Sequence, residues 1–304
     1  MQRTQTQSPQ WLVVAAFLCV YFFWGSTFVA IRIGVQYLSP AFVSGFRYCA
    51  AGAVMLAILA FRGTSLRLSR ADFQRALLLG VIMLTGNNVM ISWAEQSLSA
   101  GLAALLAAAI PLLIALAETA IPGGVPLTRA GWLGTILGFG GLVVLLAPLL
   151  HGGGDHSSPK GIIIMLIANL LWVVGSLYSN RRPTTLDPFV SAGWQMLFGG
   201  ALSIVLGSAL GGWHTANWSR SAVLAVLWLV AFGSLVGYTA YTYLLHHVPV
   251  AKVATYAYVN PIVAVGLSAV FLRESLHGSQ WIAMGIILAS VALVTASKAR
   301  PKDA

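Results

Sequence analysis

The stretch TYAYVNPIVAVGLSAVFLRE, Thr255–Glu274, decides the fold. It is apolar along most of its length and long enough to cross a lipid core, since roughly 20 helical residues span about 30 Å. Yet it carries Asn260-Pro261 in its interior and two tyrosines, Tyr256 and Tyr258, just ahead of that pair. Proline has no backbone N–H and clashes with the turn before it, so a kink and a freed carbonyl are expected here. In lipid that carbonyl needs a partner or water. A broken, polar-flecked turn inside such a segment points to the interior of a helical bundle or to a wet cavity.

The rest of the chain shares this solvent. Of 304 residues, 58% are apolar and 8% charged, against about 25% charged in a soluble domain. Ten apolar spans can be marked: Trp11–Ile31, Ala41–Phe61, Phe73–Trp93, Ser99–Glu118, Ala130–Pro148, Gly161–Tyr178, Phe189–Leu210, Ser221–Tyr243, Ala251–Phe271 and Gly278–Ser297. The expected fold is an all-α membrane protein with ten transmembrane helices. The polar start MQRTQTQSPQ precedes a run too long for the core of a cleaved signal, so the first span is expected to be retained. Cys19 and Cys49 both lie in apolar runs and read as small packing residues.

The formal charge of +10 does not imply nucleic acid, because the basic residues sit in short gaps between spans. With the N-terminus inside, the inner gaps hold Arg3, Arg62, Arg67, Arg70, Arg75, Arg129, Arg181, Arg182, Lys252, Lys298, Arg300 and Lys302. The outer gaps hold Arg32, Lys160, Arg220 and Arg273, and Arg47 falls within the second span. This excess of inner charge, about three to one, orients both termini to the cytoplasmic side.

The chain also repeats itself. Trp24 and Trp172, Pro40 and Pro188, Gly45 and Gly193, and Gly52 and Gly200 share one offset, and Pro111 and Pro261 nearly so. The flexible run HGGGDHSSPK, from His151 to Lys160, falls near the midpoint. The expected organisation is a first repeat over 11–148, a linker over 149–160 and a second repeat over 161–297. Five spans per repeat is odd, so the second repeat enters from the opposite side, as in many secondary transporters. Gly134 with Gly138, Gly233 with Gly237 and Ala103 with Ala107 are spaced for close helix packing.

Paired interruptions at Pro111 and Pro261 point to a site near the midplane. The polar and aromatic residues expected to line it are Trp24 and Ser26 on the first span; Asn87, Asn88 and Trp93 on the third; and Trp172, Ser176 and Tyr178 on the sixth. The eighth span adds Tyr238 and Tyr241, and the ninth adds Tyr256, Tyr258 and Asn260. Arg47, Pro111 and Pro261 have gating or structural roles in this reading. Glu95, at the end of the third span, is the best-placed carboxylate for proton coupling. No HExxH, CxxC, GxSxG or Walker sequence is present, and His246-His247 are adjacent and so diverge on a helix. No catalytic residue, metal or cofactor is expected. The expected partners are a small-molecule substrate and the lipid bilayer, with no obligate protein partner.

Four stretches carry a resemblance: WGSTFVAIRIG at 24–34, SPAFVSGFRY at 39–48, AEQSLSAGLAALLAAAIPL at 94–112 and PVAKVATYAYVNPIVAVGLSAVFLRESL at 249–276. In this order they resemble the EamA-type branch of the drug/metabolite transporter (DMT) superfamily. Within it, the AEQ stretch is similar to that of the YedA-like inner-membrane exporters. The resemblance implies ten helices in two inverted five-helix repeats. It also implies outward transport of small metabolites by alternating access, and family positions at Arg47, Pro111 and Asn260-Pro261. The second repeat ends in Leu-x-Glu at Glu274, where the first reads IPGG with Gly124. The expected function is secondary-active export of small organic metabolites, such as amino acids, through a central cavity. The alternatives are an uncoupled facilitator and, from another class, an integral-membrane enzyme.

Overall fold

Apolar runs of this length can satisfy their backbone in lipid only as helices, and helices are what forms. A computed structural model of the chain describes residues 9–124, 126–150, 158–182, 184–248, 250–253, 255–274, 276 and 278–298. Among the described residues, nine helices are long and apolar enough to cross a membrane: Gln10–Gly34, Pro40–Phe61, Arg70–Ala94, Ala100–Ala120, Arg129–Ala147, Pro159–Arg181, Pro188–Ala209, Arg220–Leu245 and Gly278–Ser297. The shorter apolar helix Tyr256–Phe271 stands between the last two in sequence. These are the ten spans, counted first to tenth in chain order. Much of the linker and both chain ends lie outside the described residues.

Local chemistry sets the helix starts. Ser39 and Asp187 cap the second and seventh spans: the Ser39 hydroxyl accepts the Phe42 N–H at 3.3 Å, and the Asp187 carboxylate accepts the Phe189 N–H at 2.8 Å. Each cap is followed by a proline in the first turn, where no N–H is needed. Ser69 and Ser219 cap the third and eighth spans in the same way. Equivalent spans of the two repeats thus start with equivalent caps.

The repeats are inverted. The backbone N–H of Asn217, between the seventh and eighth spans, donates to the Tyr37 carbonyl between the first and second at 2.8 Å. On the opposite face, Trp194 Nε1 donates to the Leu66 carbonyl at 3.1 Å, and Arg75 Nε donates to the Arg182 carbonyl at 2.7 Å. The first-to-second connection and its counterpart after the sixth span therefore lie on opposite faces. The second span packs along the seventh and the fifth along the tenth, so counterparts meet across a pseudo-twofold. Glycine makes the first of these seams close: a Cβ on Gly52 would stand 2.6 Å from Leu197 N and 2.7 Å from the Gly193 carbonyl oxygen.

Two expectations need correction. The helix does not break at Asn260-Pro261; it runs from Tyr256 through Pro261 to Phe271. The interruption comes earlier, after a short turn at Val250–Val253, so the ninth span is not continuous from Ala251. The reason is that the Asn260 side chain holds the turn around the proline. With its amide nitrogen facing them, it donates to the Tyr256 carbonyl at 3.3 Å and to the Tyr21 carbonyl of the first span at 3.1 Å. In the fourth span the helix does interrupt, at Ala108–Ala109, and Pro111 sits in the first turn of the segment that resumes at Ile110.

Candidate functional site

The third and eighth spans each unwind into a wider, π-helical stretch, Gly80–Asn87 and Leu229–Val236, at equivalent places in the two repeats. The first span does the same over Val20–Trp24. Such stretches leave backbone carbonyls available to side chains and are frequent at functional sites. Here the carbonyls are used. Trp24 Nε1 donates to the Gly233 carbonyl at 3.1 Å, and Asn88 Nδ2 donates to the Met83 carbonyl at 2.8 Å.

Around these stretches polar side chains form a connected seam. Arg47 is 7% exposed; its Nε donates to the Ser234 hydroxyl at 2.9 Å and its guanidinium lies 4.6 Å from the centre of the Tyr48 ring. Tyr48 Oη donates to Asn88 Oδ1 at 2.8 Å, and Asn88 Nδ2 also reaches Asn87 Oδ1 at 3.1 Å. Asn87 Nδ2 then donates to the Ala168 carbonyl of the sixth span at 2.8 Å. Ser44 and Ser92 face each other at 3.3 Å.

Toward the opposite face, the Trp24 ring stands 5.0 Å from Tyr241 and 5.1 Å from Tyr256, centre to centre. The Tyr21 hydroxyl meets Thr255 Oγ1, which in turn donates to the Lys252 carbonyl at 2.6 Å. Ser26 is buried and accepts from Trp228 Nε1 at 2.9 Å. Asn260 joins this group through the Tyr21 carbonyl. Polar and aromatic groups thus run from Thr255, near the Arg75 face, past Trp24, Gly233 and Arg47 to the Glu95 face.

At that face Arg32 Nη1 donates to the backbone carbonyl of Glu95, and Arg32 Nε lies 3.4 Å from Glu274 Oε1. Glu274 Oε2 accepts the Ala100 N–H, at the start of the fourth span, at 2.9 Å. Glu95 is fully buried in the connection between the third and fourth spans. Burial holds its carboxyl well above the usual carboxylate range; Arg32 and Arg47 pull it back and Glu274 pushes it further up.

The structure therefore gathers Trp24, Ser26, Arg47, Asn87, Asn88, Tyr241, Tyr256 and Asn260. Tyr238 and Tyr258 are half-buried on the same two spans as Tyr241 and Tyr256. Trp93 stands apart: it is 47% exposed, with Lys160 Nζ 5.7 Å from its ring centre. Trp172, Ser176 and Tyr178 are half-buried on the sixth span, and no hydrogen bond or ring contact among the described residues joins them to the Trp24 group. Pro111 lies beside the fourth-span interruption. The expected lining also left out the second span, which supplies Ser44, Arg47 and Tyr48. Sequence reading missed Ser234, Trp228, Arg32 and Asn169. Asn169 is fully buried and donates to the Leu106 carbonyl at 2.8 Å. Its signal was a lone amide in the apolar run IIIMLIANLLWVV.

The model of the EamA-like transporter family matches residues 11–147 and again 159–296. The chain belongs to the EamA-like transporter family. Its two matches each take five of the ten spans. The uncharacterized inner membrane transporter YedA of Escherichia coli K12 is 36% identical over 284 residues, covering 93% of this chain and 90% of that protein. A probable amino-acid metabolite efflux pump of Salmonella typhimurium is 25% identical over 90% of this chain and 91% of its own. A solved crystal structure superposes with a TM-score of 0.66 at 23% identity, covering 95% of this chain and 98% of the other, and so shares the fold. Membership of this family makes the chain a transporter rather than an enzyme, and its apolar helices with the YedA relative support a multi-pass inner-membrane protein.

Proposed function

We propose that the chain is a secondary-active exporter of small organic metabolites, with amino acids and related compounds as the substrate class, working by alternating access between its two repeats. The observation that carries this reading is the run of buried polar and aromatic groups from Thr255 toward Glu95, set along the unwound stretches of the first, third and eighth spans. Buried polar groups in lipid mark solute pathways. Rings at Trp24, Tyr241 and Tyr256 suit apolar parts of a solute, and Asn88 and Asn260 suit an amine or carboxylate. The Salmonella relative's name, a probable amino-acid metabolite efflux pump, supports the substrate class. Trp93, Trp172, Ser176, Tyr178, Tyr238 and Tyr258 belong to the lining once the bundle opens toward the sixth span, with Pro111 and Pro261 beside the points that flex. In this proposal both termini are cytoplasmic, the Glu95 face is external, and the solute and the bilayer are the partners.

The test compares cells producing the chain with cells producing Asn260→Leu at equal membrane level. Faster release of preloaded amino acid by the unaltered chain is expected. Equal release by the two would overturn the reading.

A further inference from the structure

Glu95 is completely buried, and neither of its carboxyl oxygens has a hydrogen-bond partner among the described residues. A buried carboxyl without a partner is costly to ionise. Beside it stands a bridge of three spans: Arg32 of the first holds Glu274 after the ninth, and Glu274 holds the Ala100 amide that begins the fourth. Arg32 also touches the Glu95 backbone carbonyl, and its charge acts on the Glu95 carboxyl as well as on Glu274. The charged groups facing Glu95 are Arg32 from the first span, Arg47 from the second and Glu274 from the ninth. Lys160, opening the sixth span, is turned to the Trp93 ring.

We propose that Glu95 is a proton-binding site that controls this bridge. As the neutral acid it leaves Arg32 on Glu274 and the Glu95 face closed; as the carboxylate it draws Arg32 away, and the start of the fourth span is released. The acid O–H bond breaks and the proton passes to water at the Glu95 face, where Glu274 is 18% exposed and lines a cavity of about 150 Å³ with Ser99, Val265, Ser268, Ala269 and Trp281. The elevated affinity of Glu95 for its proton keeps the closed form in place at mild acidity. The role of this site in driving transport rests on the exporter reading; the switch itself does not.

The experiment places a cysteine at Ala100, which is fully buried in the closed bridge, in a Cys19→Ser, Cys49→Ser background. Labelling by a membrane-impermeant maleimide is followed in vesicles from about pH 5 to about pH 9. Rates are normalised to a cysteine at the exposed Gln96, which removes the pH dependence of the thiol. Normalised labelling is expected to rise about tenfold per pH unit below its midpoint. Glu95→Gln holds it low throughout, Glu95→Asp restores the rise, and Glu274→Gln keeps it high throughout. A flat profile in the parent, or an unchanged profile in Glu95→Gln, would overturn the switch. Labelling needs no solute, so that failure leaves the exporter reading standing. Loss of solute flux with intact pH-dependent labelling would instead remove the exporter reading and leave the switch.

Discussion

Arg47 of the second span donates to Ser234 of the eighth at 2.9 Å, and this bond ties a buried cation of the first repeat to the unwound stretch of the second. A hydrogen bond to a charged group contributes about 1.5–3 kcal/mol. Ser234→Ala leaves the guanidinium with its Tyr48 ring contact but without this acceptor. The variant is expected to lose about 1.5–3 kcal/mol of stability, read as a lower midpoint in a detergent thermal-stability assay. An unchanged midpoint would show that Arg47 finds another acceptor.

Asn88 is expected to matter more than Tyr48. Tyr48→Phe removes one donor to Asn88 Oδ1 and should cost about 1 kcal/mol. Asn88→Leu removes that acceptor and also the donor to the Met83 carbonyl, inside the unwound stretch of the third span. With the donor to Asn87 Oδ1 also lost, three broken partnerships that strand buried groups should cost roughly 2–4 kcal/mol. The comparison of the two variants in the same thermal assay checks the order; a larger loss in Tyr48→Phe would contradict it.

The seam between the second and seventh spans predicts a contrast between glycines. At Gly52 an added methyl meets backbone on the facing helix, which cannot give way cheaply. Gly52→Ala should therefore destabilise by about 1–3 kcal/mol. Gly140 has nothing within 4 Å of such a methyl, so Gly140→Ala should be neutral or slightly stabilising through its better helix propensity. Equal yields and equal melting of the two variants would argue against close packing at this seam.

The ten spans were legible in the apolar runs, and the repeat in the shared offset of Trp24 with Trp172 and Pro40 with Pro188. Trp24, Asn88 and Asn260 were legible as polar or aromatic groups inside apolar spans. What the sequence did not show was pairing. Arg32 meets Glu274 across 242 positions, a contact that follows from how the first and ninth spans pack, not from local pattern. Nor did it show where a helix unwinds. Pro261 reads as a break, yet the Asn260 amide supports that turn, while glycine and serine at 233 and 234 lie where the backbone actually opens.

Glu95 sets a pH dependence whose sign is fixed. Its folded-state affinity for the proton is raised above the ordinary value of 4.5, with burial as the main cause. Above that ordinary value the folded chain holds the proton that the unfolded chain has lost. Its contribution to stability is therefore fully present below about pH 4.5 and is lost as pH rises through the raised value. Glu95→Gln should abolish this decline, so its midpoint should overtake that of the parent chain at alkaline pH. Parallel curves for the two proteins would contradict the assignment.

The most direct measurement is efflux of amino acids from loaded proteoliposomes, with and without an imposed proton gradient. The account predicts release faster than from protein-free vesicles, driven uphill by the gradient and lost in Asn260→Leu. Release no faster than from empty vesicles across a broad panel of amino acids, by protein that remains folded, would contradict it.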